Sequence, residues 1–216
     1  MLLYQKMSKV FYDKPIIDQI LGEVRKGKDK HDIEKLTKLV TILPPEYVNI
    51  QDNDSWTALI YASYYNYFEI VRLLLEKEGI NVNIRDIGCS TALKYASHRG
   101  NTKIVKILLE KEDIDVNIRD YNGCTALIYA SKKGYTEIGR LLLEKEGIDV
   151  NIRDYDGNTA LIHASNNNKI EIVKSLLEKE GIDIKIRTHF GSTALMIASN
   201  SNHIEIINLL ENHKSD

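Results

Sequence analysis

The stretch that decides the fold of this chain is Asp120-Tyr-Asn-Gly-Cys-Thr125-Ala-Leu-Ile-Tyr-Ala-Ser131, because it returns every 34 residues. The other copies begin at Asp52, Asp86, Asp154 and Thr188. Each copy contains a threonine followed by Ala-Leu and then by Ala-Ser, at Thr57, Thr91, Thr125, Thr159 and Thr193. A fixed period of this length indicates a stack of structural repeats rather than a single-core enzyme.

Each repeat is predicted to contain two helices joined by tight turns. Asn122-Gly123 provides the positive φ of a turn, Thr125 suits a helix N-cap, and Gly134 suits a left-handed C-cap. The same C-cap position holds Asn66, Gly100, Asn168 and Asn202 in the other copies. A second helix follows, with a broad apolar stripe such as residues 70–75. We expect residues 80–84 to form an extended return to the next copy.

The repeat resembles the ankyrin repeat in four segments. These are Asp-x-x-Gly-x-Thr-x-Leu at 120–127, Gly-x-x-x-Ile at 134–138, Leu-Leu-Leu at 141–143 and Asp-Val-Asn at 149–151. The resemblance covers at least three quarters of the chain. It implies an all-α ankyrin-repeat solenoid with stacked helix pairs, hairpin-like turns, right-angled L-shaped units and a concave groove.

The sequence departs from the family pattern in three ways. The family's Thr-Pro-Leu-His becomes Thr-Ala-Leu followed by isoleucine, Lys94 or Met196. Each unit is one residue longer than the usual length of about 33, near Glu78-Gly79-Ile80 in the first copy. Cys89 replaces the turn glycine of the second copy, which predicts a distorted turn there.

The chain is predicted to divide into an arm and six units. The divisions are an N-terminal arm at 1–14, a divergent N-terminal capping repeat at 15–51, repeats at 52–85, 86–119, 120–153 and 154–187, and a C-terminal capping repeat at 188–216. Within the capping repeat, Pro15 to Lys26 and Asp32 to Leu43 are predicted helices. Val48 to Asp52 then reproduces the return segment of the later copies.

The composition favours an ordered intracellular protein. A net charge of −2 and a charged fraction of 28% give no general nucleic-acid signal. No apolar run approaches the roughly 20 residues that span a bilayer, and residues 1–14 contain no signal-like core. We therefore expect a cytoplasmic monomer with no membrane partner. The bias toward Ile, Lys, Asn and Tyr indicates an AT-rich genome. The repeats resemble the ankyrin arrays of large DNA viruses and intracellular bacteria, and this resemblance implies a host-directed role in the host cytosol.

Motifs that carry chemistry are missing from the sequence. It contains no phosphate loop, no His-Glu-x-x-His, no Cys-x-x-Cys and no Gly-x-Ser-x-Gly. The six histidines fall at different repeat positions, and Cys89 and Cys124 are one position out of equivalence. We predict no catalytic residue, cofactor or metal. The enzyme alternative places a site near the N-terminal cap, at Asp18, Glu23 and His31.

Several recurring residues have both a structural and a functional interpretation. The arginines in Asn-Ile-Arg and Lys-Ile-Arg favour inter-repeat pairing, with a phosphate-binding stripe as the alternative. Tyr61, Tyr95 and Tyr129 favour an inter-repeat stack with solvated hydroxyls over a binding stripe. The Val-Asn asparagines favour loop hydrogen bonding over a hydroxylation site. The Glu-Lys-Glu runs are interpreted as a solvated face, and Gly139 and Ser175 as weak points of the second helices.

The resemblance places partner binding at the turn tips and at the exposed end of each first helix. The predicted contact residues are Trp56, Tyr64, Tyr65, Tyr67, Lys94, His98, Arg99, Tyr121, Lys132, Lys133, Tyr155 and Asn166. Aromatic and basic side chains of this kind suit a protein segment with an apolar anchor and acidic residues. Two alternatives remain: Trp56 covers the junction of the first unit, or the central basic patch binds nucleic acid or phosphate.

Overall fold

The structure is a computed structural model, and it describes residues 30–213 together with Gly22. This part of the chain contains eleven α-helices, one short 3₁₀ helix at Pro45–Tyr47, and no strand. The first α-helix, α1, covers Lys30–Ile42, which confirms the second helix predicted for the capping unit. The other predicted helix, residues 15–26, lies outside the described residues except for Gly22.

The remaining ten helices form five pairs that follow the 34-residue period. The first helices of the pairs are Ala58–Tyr65 (α2), Ala92–Arg99 (α4), Ala126–Lys133 (α6), Ala160–Asn166 (α8) and Ala194–Asn200 (α10). The second helices are Phe68–Leu75 (α3), Thr102–Leu109 (α5), Thr136–Glu144 (α7), Ile170–Leu177 (α9) and Ile204–Asn212 (α11). Each first helix packs on the next first helix and each second helix on the next second helix, so the pairs stack in sequence order.

The recurring threonine caps every first helix. In α6 the Thr125 hydroxyl accepts a hydrogen bond from the N–H of Ile128 at 3.3 Å. Each of the other four threonines accepts the same bond from the N–H three residues later. This bond satisfies one amide that has no partner inside the helix. At the other end Gly134 has a φ of 82° and Asn66 a φ of 64°. Both predicted caps are confirmed.

The core is a continuous column of apolar side chains along the stack. The second helices contribute a buried stripe, such as Ile70, Val71 and Leu74 in α3, and the first helices contribute the Ala-Leu pair after each threonine. A single helix pair has no way to enclose this stripe. Stacking therefore supplies the burial that stabilises each unit.

The turn before each first helix is organised by an aspartate. In the third repeat Asp120 Oδ1 accepts hydrogen bonds from the N–H groups of Asn122 and Cys124, and the N–H of Gly123 bonds to the Asp120 carbonyl. Cys89 makes the equivalent backbone bond at 2.9 Å with a φ of 58°. The predicted distortion of that turn is therefore wrong. The turn keeps its shape, and Cys89 adopts the left-handed backbone instead.

The return between repeats contains a turn at residues 82–83 rather than the expected extended piece. Asn83 lies in this turn and bonds to the next repeat: its side-chain amide donates to the Asp113 carbonyl at 2.6 Å, and its Oδ1 accepts from the Asp115 N–H at 2.9 Å. Loop hydrogen bonding by the Val-Asn asparagines is thus confirmed. Asn49 makes the same pair of bonds to the first repeat, at Gly79 and Asn81.

The lysine of the Glu-Lys-Glu run links neighbouring repeats. Lys145 Nζ donates to the carbonyls of Leu109 and Lys111 at 2.8 and 3.1 Å, at the end of the preceding second helix. A cation suits this position because the last carbonyls of a helix lack partners and carry partial negative charge. Our interpretation of the whole run as solvated is wrong for the lysine. It holds for the flanking glutamates of the first repeat, Glu76 and Glu78, which are exposed.

The arginine ladder also joins the repeats through the backbone. Arg119 Nη2 donates to the Arg153 carbonyl at 2.9 Å, and Arg153 Nη2 donates to the Arg187 carbonyl at the same distance. Gln51 makes the corresponding bond to the Arg85 carbonyl at 3.1 Å. The predicted inter-repeat pairing is confirmed, with backbone carbonyls as the acceptors.

Candidate partner-binding surface

Two kinds of position carry the predicted contact residues. One is the turn tip, directly after the aspartate of each repeat. The other is the end of the first helix together with the residue before its threonine cap. Positions of the second kind from successive repeats lie side by side, because the Arg99 guanidinium at the end of one first helix lies 4.5 Å from the ring centroid of Tyr64 at the end of the preceding one.

Aromatic rings cluster at the junction of the first two repeats, where they form the aromatic cluster: Trp56, Tyr61, Tyr64, Tyr65, Tyr67 and Tyr95. The Trp56 ring lies 4.7 Å from the rings of both Tyr61 and Tyr95, measured between centroids. It is half-buried, so it covers the junction and also presents an edge to solvent. The predicted cluster of Trp56, Tyr64 and Tyr65 is therefore confirmed, and Trp56 has a structural role as well.

Lys94 lies inside the stack rather than on its surface. Its side chain is 11% exposed, and Nζ is 3.5 Å from Asp120 Oδ2. The same Nζ lies 4.5 and 4.8 Å from the ring centroids of Tyr95 and Tyr129. Lys94 occupies the position of Ile60 and Ile128 in other repeats, which explains its burial. A buried, paired ammonium group has no free charge to offer a partner, so we remove Lys94 from the contact set.

The tyrosine column is held by the aspartates of the turns. The hydroxyl of Tyr129 donates to Asp120 Oδ2 at 2.7 Å, and Tyr95 donates to Asp86 Oδ2 at 2.6 Å. Burial, followed by the bond to the carboxylate, raises the pKa of both hydroxyls. The expectation of solvated hydroxyls is thus wrong, because each hydroxyl already has an acceptor nine residues earlier in its own repeat.

In the fourth repeat, His163 takes the place of the tyrosine. Its Nε2 lies 2.7 Å from Asp154 Oδ2, with both side chains largely buried. Burial by itself raises the pKa of Asp154, but the hydrogen bonds from His163 and from the Asn158 N–H outweigh it, and the pKa is lowered. The carboxylate of Asp154 therefore has its partners inside its own repeat, whereas Asp156 in the same turn is exposed.

Three basic residues remain on the surface at the middle of the array. Arg99, Lys132 and Lys133 are exposed at the ends of α4 and α6, and the Arg99 guanidinium lies 4.5 Å from the centroid of the Tyr64 ring. His98 is half-buried against Tyr129, and burial together with the nearby cations lowers its pKa. The exposed basic patch therefore consists of Arg99, Lys132 and Lys133.

The turn tips present a row of apolar side chains. Ile87 is 71% exposed, Tyr121 64% and Tyr155 62%, at the same position of three successive repeats. Their backbones are joined across repeats, because the N–H of Tyr121 donates to the Gly88 carbonyl and that of Tyr155 to the Asn122 carbonyl. The predicted contact set contains Tyr121 and Tyr155 but not Ile87, which stands at the identical position of the second repeat.

The last predicted contact residue, Asn166, is exposed at the end of α8. It borders a cavity of about 270 Å³ between the fourth and fifth repeats. Phe190, at the tip of the fifth repeat, lines the same cavity and is 91% exposed. Phe190 was not among the predicted contact residues.

Two features of the described residues concern metal binding and nucleophilic chemistry. They contain no group of three or more His, Cys, Asp or Glu side chains placed to hold a metal ion. Burial, followed by the charge of Asp120, raises the pKa of the Cys124 thiol to about 12, so this thiol is protonated at neutral pH. Between residues 30 and 213, no helix has the length and apolar character needed to cross a membrane.

Family models for ankyrin repeats match most of this chain. A model described as "Ankyrin repeats (3 copies)" matches residues 86–154 and 146–216, and one described as "Ankyrin repeats (many copies)" matches residues 39–96. The chain belongs to the ankyrin repeat family. Ankyrin repeats are generally protein–protein interaction modules and are typically non-catalytic.

A solved structure agrees with this assignment. The fold is similar to the crystal structure of EF0377, an ankyrin repeat protein, with a TM-score of 0.79 and 28% sequence identity. The match covers 92% of this chain and 98% of that one. A search of curated proteins found no match.

Proposed function

We propose that this ankyrin repeat protein binds a protein partner along the groove side of the array, through the aromatic cluster, the exposed basic patch and the turn tips. The observation that carries the proposal is the row of exposed Ile87, Tyr121 and Tyr155 beside Arg99, Lys132 and Lys133. Exposed apolar side chains are not buried in the free protein. A partner that covers them would remove their apolar surface from water, which favours binding.

The charge distribution supports an acidic partner segment. The chain as a whole has a net charge of −2, yet three cations stand together on this surface. The aspartates nearest to it accept hydrogen bonds inside their turns, as Asp120 does from Tyr129. A segment with an apolar anchor on the aromatic cluster and acidic residues over the basic patch therefore matches both features.

The remaining parts of the proposal concern setting and assembly. We infer a cytoplasmic monomer with the arm and six units given above, acting in a host cytosol if its source is a virus or an intracellular bacterium. The alternative enzyme site, at residues 18, 23 and 31, lies outside the side chains that the structure describes. The nucleic-acid alternative has three exposed cations in its favour and an acidic net charge against it.

A peptide selection tests the proposed function. Random 12-residue peptides displayed on phage are selected on the full chain, and the affinity of the best peptide is measured by calorimetry. We expect acidic and aromatic residues in the selected peptides. The double variant Arg99→Glu, Lys132→Glu should weaken their binding at least tenfold, because each reversal places like charges together.

The matched control reverses two exposed lysines on a second helix, Lys103→Glu and Lys106→Glu. Its affinity should stay within about twofold of the parent chain, because rim charges act over roughly a Debye length. Equal losses in both double variants would show that net charge alone drives binding, and an unchanged affinity in the first would refute the proposed surface.

A further inference from the structure

The cavity between the fourth and fifth repeats corresponds to a place that the first two repeats fill with aromatic rings. Four repeat positions meet at each junction: the residue before the threonine cap, the fourth and seventh residues after it, and the fourth residue after the next cap. At the first junction these are Trp56, Tyr61, Tyr64 and Tyr95, which form four ring pairs with centroid distances of 4.7 to 5.6 Å.

At the last junction the same four positions are Asn158, His163, Asn166 and Ile197. All four line the cavity of about 270 Å³. The other lining residues are Ile162, Thr188, Phe190 and Ser192. The cavity therefore exists because smaller side chains replace four aromatic ones while the backbone keeps the same stacking.

The fifth repeat has also lost the acceptor that holds the tyrosine elsewhere. Thr188 stands where the other repeats have aspartate, and its hydroxyl accepts from the N–H groups of Phe190 and Ser192 as the aspartate Oδ1 does. The threonine side chain has one oxygen, whereas aspartate has two, so no second oxygen is left to accept a bond. Ile197 in turn has no hydroxyl to donate. Nothing in this repeat's own turn takes the place of the missing Tyr–Asp pair.

The lining of the cavity is amphipathic. Ile162 is buried and Ile197 half-buried, while Phe190 stands exposed at the rim. Asp154 is paired with His163 and accepts from the Asn158 amide, so these three residues are already bonded to one another. Among the described residues, the Asn166 side-chain amide has no hydrogen-bond partner, and it borders the cavity.

We propose that this cavity accepts a tyrosine side chain from the partner segment. The aromatic ring would cover Ile162 and Ile197 against the face of Phe190, and the hydroxyl would bond to the Asn166 amide. A tyrosine fits because the protein places its own tyrosine at this position in the first three repeats, and because the titratable group in the lining, His163, is already paired with Asp154. The inference rests on the proposed function and adds a second anchor point at the other end of the surface.

The test titrates the ¹⁵N-labelled full chain with N-acetyl-tyrosinamide and, separately, with N-acetyl-leucinamide. We expect saturable shifts of backbone amides in residues 158–166 and 188–197 with the tyrosine compound, at a dissociation constant on the order of 1 mM. The leucine compound should bind at least fivefold more weakly. Equal binding of both compounds, or no saturable shift with the tyrosine compound, would overturn the proposal.

Two variants make the test specific. Ile197→Tyr fills the cavity with the residue of the first three repeats and should abolish binding. Asn200→Tyr adds the same ring at an exposed position outside the cavity and should leave binding unchanged. Because Phe190 is exposed, Phe190→Ala should leave the fold intact and weaken binding severalfold. If Ile197→Tyr or Phe190→Ala binds like the parent chain, the proposal fails.

The same variants separate this inference from the proposed function. A selected peptide that loses affinity in Arg99→Glu, Lys132→Glu and also in Ile197→Tyr supports both. A peptide that loses affinity only in the charge-reversal variant supports the proposed function and overturns the tyrosine site.

Discussion

Replacing Gly139 by alanine should stabilise the array. Gly139 is buried within α7, where the other second helices, except α11, have valine, as at Val71 and Val105. A Cβ atom at this position would meet Cδ1 and Cγ1 of Ile172 at 3.6 and 3.7 Å, which is ordinary van der Waals contact. The methyl group therefore enters an existing gap at the interface between two repeats without displacing its neighbour.

The expected gain follows from two contributions. Alanine is about 1 kcal/mol better than glycine inside a helix. Burial of one methyl group against Ile172 adds about 0.8 kcal/mol. The free energy of unfolding should thus rise by about 1.5 to 2 kcal/mol, and the melting temperature by about 5 °C for a chain of this size.

Gly100→Ala is the matched control with the opposite sign. Gly100 ends α4 with a φ of 79°, and a Cβ atom there would lie 3.0 Å from Cζ of Tyr135. The left-handed backbone alone costs an alanine about 1 kcal/mol. The same chemical change should therefore lower the free energy of unfolding by at least that amount.

Urea denaturation followed by circular dichroism measures both variants, and hydrogen exchange locates the effect. In Gly139→Ala, amide protection should increase most in α7 and α9, the two helices that the methyl group would join. If Gly139→Ala is neutral or destabilising, or if both variants shift in the same direction, the reasoning from the gap beside Ile172 is refuted.

Three further changes test other contacts. Ser131→Ala should stabilise by about 1 kcal/mol in thermal denaturation, because the buried hydroxyl has no partner among the described residues. Lys145→Met should destabilise by about 1 kcal/mol in urea, because two carbonyls lose their donor, whereas Glu146→Gln should have no effect. Folding lowers the pKa of Asp154. Its ionised form therefore stabilises the fold above the unfolded pKa of about 4, and this stability is lost as the pH falls further. Asp154→Asn should thus reduce the dependence of the free energy of unfolding on pH in the acid range.

The helical framework could be predicted because its signals are local and repeated. Thr125 reaches an amide three residues away, and Gly134 adopts a backbone that its own lack of a Cβ permits. Five copies of the same local pattern reinforce one another, and a stack is the arrangement that buries the apolar stripe of every unit. The extended return was predicted incorrectly, because alternating side chains occur in this turn as well. The N–H of Asn83 bonds to the Asn81 side chain within the turn, and the Asn83 side chain bonds to the next repeat.

The candidate surface could be predicted only in part. Variation between copies indicated Trp56, Tyr64 and Tyr121, of which Tyr121 is exposed while Trp56 and Tyr64 are half-buried. The same argument failed for Lys94, which varies from the isoleucine of other repeats yet lies buried beside Asp120. Variation identifies positions that tolerate change, but it does not distinguish a position that faces solvent from one that faces a special partner in the next repeat.

The sequence by itself determined the period, the helix caps, the apolar stripe and the family, because each depends on residues only a few positions apart or on an exact spacing of 34. Only the tertiary structure decided which side chains are free to meet a partner. Lys145 bonds to Leu109, and Asn166 borders the same cavity as Ile197. These neighbours are about one repeat apart in the chain. Their meeting depends on how one unit packs on the next, and on the volume that each pair of side chains leaves between them.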